Sequence, residues 1–279
     1  MFHVKKMSPN DFDFAVCLTD TMNWELIQED FEFMKNLEPD GCFTLFYDSE
    51  KVGITTTISY GKVGWIGDVI VHEAYRGKGG GSLLIKSAID YLVGKGAETV
   101  GLYSYVYQVP FYEKHDFEIS DKFIVMQGKG FSNSRKANVR KVEENDHQQI
   151  IDLDKSFFGT SRNKLLRSLL NNQNNLCYVS TNHERLICFA IAKVYGYSSE
   201  LGPLVCRRKY ESVAIDLLKF LLNRLKNHDV YLYVPEKEIE IINLLSEHNF
   251  KEKFHVVRMF RGKPLKSDLI YLAESLERG

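Results

Sequence analysis

Hydrophobic and polar positions follow strand and helix periods along this chain, and residues typical of turns separate the segments. In the first half the pattern predicts a strand, two helices, three strands, a helix, a strand and a short helix, with a closing strand at Phe123–Gly128. The other predicted segments are Phe2–Met7, a helix that follows Ser8–Asp11 and ends near Met22, Ile27–Leu37, Cys42–Tyr47, Val52–Tyr60, Val63–Val71, Ser82–Val93 and Glu98–Tyr107.

The second half repeats the order of the first. Val139–Asp146 is similar to Val4–Asp11, and Glu247–Phe250 is similar to Lys114–Phe117. A polar segment with the composition of a linker separates the halves. We therefore predict domains at 1–130 and 139–279, joined by a linker at 131–138. The predicted strands and helices of the second half are Leu176–Thr181, Leu186–Tyr195, Glu200–Cys206, Lys209–Lys226, Val230–Val234 and Glu236–His248.

A glycine-rich loop, Arg76-Gly77-Lys78-Gly79-Gly80-Gly81, connects the predicted strand ending at Val71 to the helix beginning at Ser82. Glycines let a ligand approach the backbone closely, and the first N–H groups of a helix favour an anion. The loop therefore predicts a phosphate-binding site. It does not fit the magnesium-nucleotide loop, which needs Ser or Thr directly after the lysine, and Ser82 occupies the last glycine position of a dinucleotide fingerprint.

This loop resembles the Arg/Gln-x-x-Gly-x-Gly/Ala signature of the GNAT superfamily of N-acetyltransferases. Further along, Tyr112–Phe117 resembles the Tyr-x-x-x-Gly-Phe segment of that superfamily, with Asp116 in place of glycine. The resemblance implies an α/β (α+β) fold of two tandem GNAT-like domains, each with a mixed, mainly antiparallel sheet flanked by helices. The second half is degenerate, because Arg207–Tyr210 replaces the glycine loop with bulky side chains. We expect no acetyl-CoA in that half.

The resemblance also implies acetyl-CoA as cosubstrate and Tyr112 as the acid that protonates the departing thiolate. A phenol with a pKa of about 10 can donate to a thiolate whose acid has a pKa of about 8.5. A tyrosine that only packs is the alternative. The expected donor-binding residues are Arg76, Gly77, Lys78, Gly79, Gly80, Gly81 and Ser82, with Ile70 and Val71 beside the pantetheine.

An amine acceptor must lose a proton before it attacks a thioester. Asp68 lies inside an apolar strand, where a charge is unfavourable unless the strand opens onto a site, so it is the leading candidate for the general base. A carboxylate exposed at a strand edge or bulge is the alternative, and His72 is the next candidate.

Three further side chains are candidates for acceptor binding. Trp24 and Glu25 lie between the first two predicted helices, in the region that covers the acceptor in GNAT folds, and an aromatic ring beside a carboxylate suits a cationic amine. Gln108 precedes the helix that carries Tyr112. A tryptophan is also a common core residue, so a purely structural role for Trp24 stays open.

Composition limits the partners that need to be considered. The 36 Lys and Arg residues nearly balance 37 Asp and Glu residues, so the net charge attracts neither nucleic acid nor an anionic membrane. Five scattered cysteines in apolar segments favour reduced, buried thiols and a cytoplasmic location. No histidine or cysteine spacing suggests a metal site. We expect no membrane span, and a homodimer stays open.

These observations predict an acyltransferase that moves an acetyl group from acetyl-CoA to an amine of an unknown small molecule or peptide by direct transfer. A non-catalytic acyl-CoA-binding regulatory module is the alternative. A thiol or hydroxyl acceptor is a weaker third hypothesis, because nothing in the sequence distinguishes it from an amine.

Overall fold

A computed structural model of the chain describes residues 1–132, 138–183, 185–265 and 270–279. The first half contains six strands and four α-helices in the order that the sequence pattern predicts. They are β1 Phe2–Lys6, α1 Phe12–Asp20, α2 Gln28–Leu37, β2 Phe43–Tyr47, β3 Glu50–Ser59, β4 Val63–Val71, α3 Gly80–Gly94, β5 Thr99–Tyr105, α4 Val109–Glu113 and β6 Glu118–Lys129.

The second half follows the same plan and adds a final short strand. Its elements are β7 Arg140–Lys141, α5 His147–Phe158, α6 Asn163–Asn171, β8 Leu176–Asn182, β9 Arg185–Tyr195, β10 Ser198–Cys206, α7 Glu211–Arg224, β11 Asp229–Pro235, α8 Ile239–Glu247, β12 Lys251–Arg261 and β13 Ile270–Leu272. Mixed, mainly antiparallel strands with flanking helices confirm the predicted fold class.

Helix α3 follows the predicted pattern of apolar and polar positions. Its buried residues recur at helical spacing and face the sheet, whereas Lys86 and Asp90 lie on the exposed side. The buried side chains are Leu84, Ile85, Ala88 and Leu92. Burial of this apolar stripe fixes the helix against the strands, so the loop before it has a defined position.

The two halves share one continuous sheet, in the order β1-β2-β3-β4-β5-β12-β6-β11-β10-β9-β8-β7. Strand β12 lies between β5 and β6, with Val256 opposite Tyr105. Strand β6 in turn lies between β12 and β11, with Val230 opposite Gly128. Each half therefore places its last long strand inside the sheet of the other. The segment Phe123–Gly128 is a strand, as predicted, but its partners all belong to the second half.

Parallel strands separate in the same way in both halves. Strands β4 and β5 pair only from Val63 opposite Thr99 to Trp65 opposite Gly101. Strands β10 and β11 also pair over just three residues, from Ser198 to Glu200. Beyond those residues each pair diverges, and a V-shaped opening forms in the sheet.

The second opening is filled by the chain itself. Strand β13 pairs with β10, and the N–H of Ala273 donates to the carbonyl of Tyr233 on β11 at 3.1 Å. Backbone of the segment around β13 therefore occupies the opening between β10 and β11. Residues 274–279 then continue toward β4 of the first half.

The cysteines differ from the expectation at one position. Cys42, Cys177, Cys188 and Cys206 are buried, and all five described cysteines are free. Cys17 is exposed, so its predicted burial is wrong: it faces outward on α1, whose buried positions are Phe12, Ala15, Leu18 and Thr19. Burial raises the pKa of the Cys42 and Cys177 thiols to about 12, which keeps both protonated.

The predicted linker lies mostly on residues 133–137, which are outside the described residues, so the domain limits at 130 and 139 stay predictions. The basic residues Arg135 and Lys136 fall there too. Across the described segments, no helix is both long and apolar enough to cross a membrane.

Candidate active site

The glycine loop turns sharply before α3. Gly77 has a φ of +74° and Gly79 a φ of +91°, a region that side chains disfavour and glycine does not. Gly79 is the residue before the helix, which begins two residues earlier than predicted, at Gly80. The first N–H groups of α3, which have no carbonyl partner within the helix, therefore follow directly on this turn.

The two basic side chains of the loop fold back onto its own backbone. Arg76 Nε donates to the carbonyl of Val71 at 2.8 Å, and Lys78 Nζ donates to the carbonyl of Ala74 at 2.9 Å. Lys78 Nζ also lies 5.4 Å from the centre of the Tyr75 ring. Both side chains are exposed and thus stabilise the loop without covering its glycine backbone.

A cavity of about 1040 Å³ opens where β4 and β5 separate. It is lined by the loop, by Ile70 and Val71, and by side chains from both halves of the chain. Of the residues predicted from the sequence, these line it: Trp24, Glu25, Asp68, Ile70, Val71, Arg76, Gly77, Gly79, Gly81, Ser82, Gln108 and Tyr112. Lys78 and Gly80 are in the loop but are not among the lining residues; Gly80 instead packs near Leu45, which a Cβ would approach to 2.8 Å.

Tyr112 is buried on α4 and lines this cavity. Burial raises the pKa of its hydroxyl above the ordinary value, so the group stays protonated at neutral pH. The turn after this helix contacts the first turn of α3, where His115 Nε2 lies 3.2 Å from Ser82 Oγ. The following turn places Asp116 at a φ of +64°, in the left-handed region that glycine adopts without strain.

Asp68 occupies a β-bulge in β4, where the register with β3 shifts and its φ is +51°. The side chain is buried, and Thr56 Oγ1 donates to its Oδ2 at 2.7 Å. Within the described part of the chain, Oδ1 is buried without a hydrogen-bond partner. Burial raises the pKa of this carboxyl to about 6. Asp68 therefore has features of both alternatives: it lies at a bulge of the strand, and its side chain is buried and lines the cavity.

His72, the second candidate for the base, is exposed at the start of the loop. Its Nδ1 accepts from the N–H of Ala74 at 3.4 Å and so caps the short 3-10 turn Glu73–Tyr75. The ring is not among the residues that line the cavity. Its position fits a capping role better than a catalytic one.

The segment between α1 and α2 forms another wall. Trp24 is half-buried, and its Nε1 donates to the hydroxyl of Tyr105 at 2.9 Å. Tyr105 stacks on Tyr107 with ring centres 5.4 Å apart. Glu25 is exposed at a φ of +53°. The indole is therefore held by a polar contact at the cavity and is not a closed core residue.

The second half contributes lining residues that sequence reasoning missed. They include Tyr195, Glu200, Tyr231, Tyr233, Glu277 and Arg278. No local motif marks them, because they reach the cavity only through the shared sheet and the segment after β13. Only the repeat itself hinted that the second half would lie close enough to contribute.

Beneath this wall lies a buried ion cluster. Lys193 Nζ lies 2.8 Å from Glu274 Oε1 and 2.9 Å from Glu200 Oε2, and Arg278 Nε lies 3.1 Å from Glu274 Oε2. Tyr233 also donates its hydroxyl to Glu200. The cations offset burial and hold the pKa of Glu274 at about 2. The cluster fixes the segment 274–279 against the sheet.

The described residues contain no group of three or more His, Cys, Asp and Glu side chains arranged to hold a metal ion.

The fold and the loop define an acyltransferase of the GNAT superfamily. Residues 11–117 match the acetyltransferase (GNAT) family, and residues 150–272 match an acetyltransferase (GNAT) domain. The chain thus belongs to this superfamily, as a tandem enzyme with one GNAT domain in each half. Enzymes of this superfamily use acetyl-CoA as cosubstrate.

Three relatives extend this result. A holothin acyltransferase of Pseudoalteromonas is 24% identical over 92% of this chain and 87% of its own length. A candidate acetyltransferase of Pyrococcus horikoshii superimposes with a TM-score of 0.83 at 22% identity, covering 100% of this chain and 96% of its own. A tandem GNAT protein from the clavulanic acid biosynthesis pathway gives a TM-score of 0.63 at 12% identity, over 95% and 100% of the two chains.

Proposed function

We propose that this enzyme transfers an acetyl group from acetyl-CoA to a primary amine by direct attack in a ternary complex. One observation carries the proposal: a single cavity connects the glycine loop with Tyr112 and Asp68. A donor bound at the loop and an acceptor bound near Asp68 would therefore meet without an enzyme-bound acyl group. The domain that carries the donor site would be 1–130.

The donor would bind through backbone groups. The N–H groups of the turn and of the first residues of α3, from Gly77 to Ser82, suit a pyrophosphate, since they point out of a positive helix end. The pantetheine would follow Ile70 and Val71 along the edge of β4 that β5 leaves unpaired. A main-chain N–H on that edge would polarise the thioester carbonyl.

Two side chains and solvent would carry the proton transfers. Asp68 would take a proton from the acceptor's ammonium group, after which the neutral amine attacks the thioester carbon and the C–S bond breaks. Tyr112 would give its proton to the departing sulfur and recover one from solvent. Asp68 would release the proton it took, and the amide nitrogen would lose its surplus proton, both to solvent. Each turnover would then yield the amide, the free thiol and one net proton. The raised pKa of Asp68, about 6, makes it a better proton acceptor than an ordinary aspartate.

Two measurements test the proposal. Calorimetry with acetyl-CoA should give one binding site per chain, because β13 fills the matching opening of the second half. Release of free CoA thiol should then depend on an added amine. Crossing lines in initial-velocity plots would support direct transfer, whereas parallel lines would contradict it. Binding without turnover of any acceptor would favour the regulatory module instead.

A further inference from the structure

The cavity is completed by a residue from the far end of the second half. Glu277 lines it, and its backbone lies directly against Gly67, the neighbour of Asp68. A Cβ at Gly67 would lie 2.8 Å from the carbonyl oxygen of Glu277 and 2.9 Å from its Cβ. Only glycine at this position allows the segment to approach β4 so closely. Glu277 is thereby fixed beside Asp68.

Contacts on both sides hold this segment in place. Trp65 Nε1 donates to the carbonyl of Leu276 at 3.2 Å, and Tyr60 donates its hydroxyl to the carbonyl of Arg278 at 2.8 Å. Arg162 donates to the carbonyl of Gly279. The position of Glu277 in the cavity is therefore set by hydrogen bonds of the residues next to it.

Within the described residues, neither carboxylate forms an ion pair shorter than 4.0 Å. Asp68 Oδ1 is buried and lacks a hydrogen bond within the described ranges. Glu277 Oε2 lies 4.0 Å from Arg278 Nη1, while the same guanidinium approaches Glu274 to 3.1 Å. Burial and the charge of Asp68 raise the pKa of Glu277 to about 7, although Arg278 lowers it. Two carboxylates thus face one space with a shared deficit of positive charge.

Other groups at this part of the cavity increase that deficit. Glu25, Asp30 and Glu200 also line it, whereas Arg278 and the buried Lys193 are engaged by Glu274 and Glu200. Aromatic rings complete the wall: Trp24, Tyr105, Tyr195, Tyr231 and Tyr233. Carboxylates with aromatic faces form an environment that favours an ammonium group over a hydroxyl or thiol.

We propose that Glu277 of the second half and Asp68 of the first half together bind the ammonium group of the acceptor, so that the degenerate half determines acceptor specificity. This inference rests on the proposed acetyl transfer. It selects a cationic primary amine as the acceptor class and disfavours neutral alcohols and thiols. The second half then has a direct role in substrate binding although it offers no donor loop.

The test is a Glu277→Gln substitution, which keeps the shape of the side chain and removes its charge. Thiol release is followed with tyramine, tryptamine, spermidine and glucosamine, and with tyrosol as the neutral counterpart of tyramine. For the best amine, KM should rise about 10- to 100-fold, the loss expected for one charge-assisted hydrogen bond, with a smaller change in kcat. The acetyl-CoA dissociation constant should stay unchanged, and the unfolding midpoint should not fall, because burial already disfavours the charged form of Glu277.

Matched variants separate binding from structure. Glu247→Gln removes an exposed carboxylate on α8 and should leave both constants unchanged. Glu277→Asp keeps the charge and should retain more of the amine affinity than Glu277→Gln. If Asp68→Asn and Glu277→Gln act on one ammonium group, the double variant should lose less than the product of the single losses.

Two results would overturn the inference: an unchanged KM in Glu277→Gln, and turnover of tyrosol as fast as that of tyramine. The proposed function fails separately, namely if the wild-type enzyme gives no heat with acetyl-CoA, or binds it and releases no thiol with any acceptor.

Discussion

Trp65 and Leu276 are 211 residues apart in the chain, yet the indole N–H of Trp65 donates to the carbonyl of Leu276 at 3.2 Å. Trp65 is buried at the last position where β4 still pairs with β5. The end of the second half is thus anchored where the first half opens. Because this contact holds the end of the second half against β4, both halves line the cavity. Substitutions in either half can therefore test its chemistry.

Replacing Tyr112 by Phe should lower kcat about 100-fold, since a positioned general acid contributes roughly 10²- to 10⁴-fold. Acetyl-CoA affinity should be nearly unchanged, because the hydroxyl acts on the departing sulfur only. Thiol release and calorimetry measure the two effects. Tyr178→Phe on β8, where the ring packs on Phe220, is the control. Equal turnover in both variants would remove Tyr112 from the mechanism.

Replacing Gly79 by Ala should weaken acetyl-CoA binding at least about tenfold. Alanine at a φ of +91° costs about 1 to 2 kcal/mol, and relief of this strain would turn the loop N–H groups away from the pyrophosphate. Calorimetry with acetyl-CoA provides the measurement. Gly94→Ala at the end of α3 is the matched control, because its φ is ordinary and a Cβ there would meet open space. Normal affinity in Gly79→Ala would argue against the backbone site.

The pH dependence of the reaction should follow the two carboxyls. Their pKa values are raised to about 6 for Asp68 and about 7 for Glu277, so both are increasingly ionised as the pH rises through this range. With a cationic amine, kcat/KM should therefore increase between pH 5 and about pH 7.5. Asp68→Asn should remove the lower part of the rise. A profile that is flat in the wild type would contradict both roles.

The raised pKa of Asp68 should make the folded enzyme less stable above about pH 6 than at lower pH. A raised folded pKa means that the folded state holds the proton longer than the unfolded state, whose pKa is about 3.9. The resulting stability is complete below that value and is lost as the pH rises through about 6. The free energy of unfolding of Asp68→Asn, measured in urea at pH 8, should therefore be about 1 to 3 kcal/mol higher than that of the wild type. A less stable variant would contradict this sign.

Replacing Lys193 by Met should destabilise the fold by about 3 to 5 kcal/mol, because it leaves Glu274 buried with one fewer cation. Urea unfolding measures the loss. The control is Lys62→Met, which breaks a pair with Glu98 whose side chains are 76% and 68% exposed. That change should leave the free energy of unfolding nearly unchanged, because solvent and salt screen an exposed ion pair. Similar losses in both variants would show that burial of the cluster is unimportant.

Local patterns in the sequence located the proposed donor side of the site. The glycine loop and the apolar stripe of α3 depend on neighbours within a few residues, and the segment Tyr112–Phe117 was located by its resemblance to a short GNAT motif. The repeat is also a local feature. The matching turns of the two halves have the same backbone conformation, with a φ of +64° at both Asp116 and Asn249. The donor loop is thus a short-range feature.

The acceptor side depends on contacts that cross most of the chain. Placement of β12 between β5 and β6 brings Val256 opposite Tyr105 and Lys251 opposite Gln127, and no periodicity in the sequence indicates such distant partners. Glu277 enters the cavity because Gly67 has no side chain, a relationship that is invisible from either residue alone. Cys17 was assigned to the interior because its neighbours are apolar, whereas helix phase turns it outward.

The exchange of β6 and β12 also limits how the enzyme can move. Two domains joined by a flexible linker can close on a ligand by hinge motion. Here each half instead pairs with a strand of the other half through a ladder of backbone hydrogen bonds. Rotation about a hinge would have to break those ladders. We therefore expect substrate entry and product exit to depend on movements of side chains and short turns at the rim, while the two halves keep their relative position.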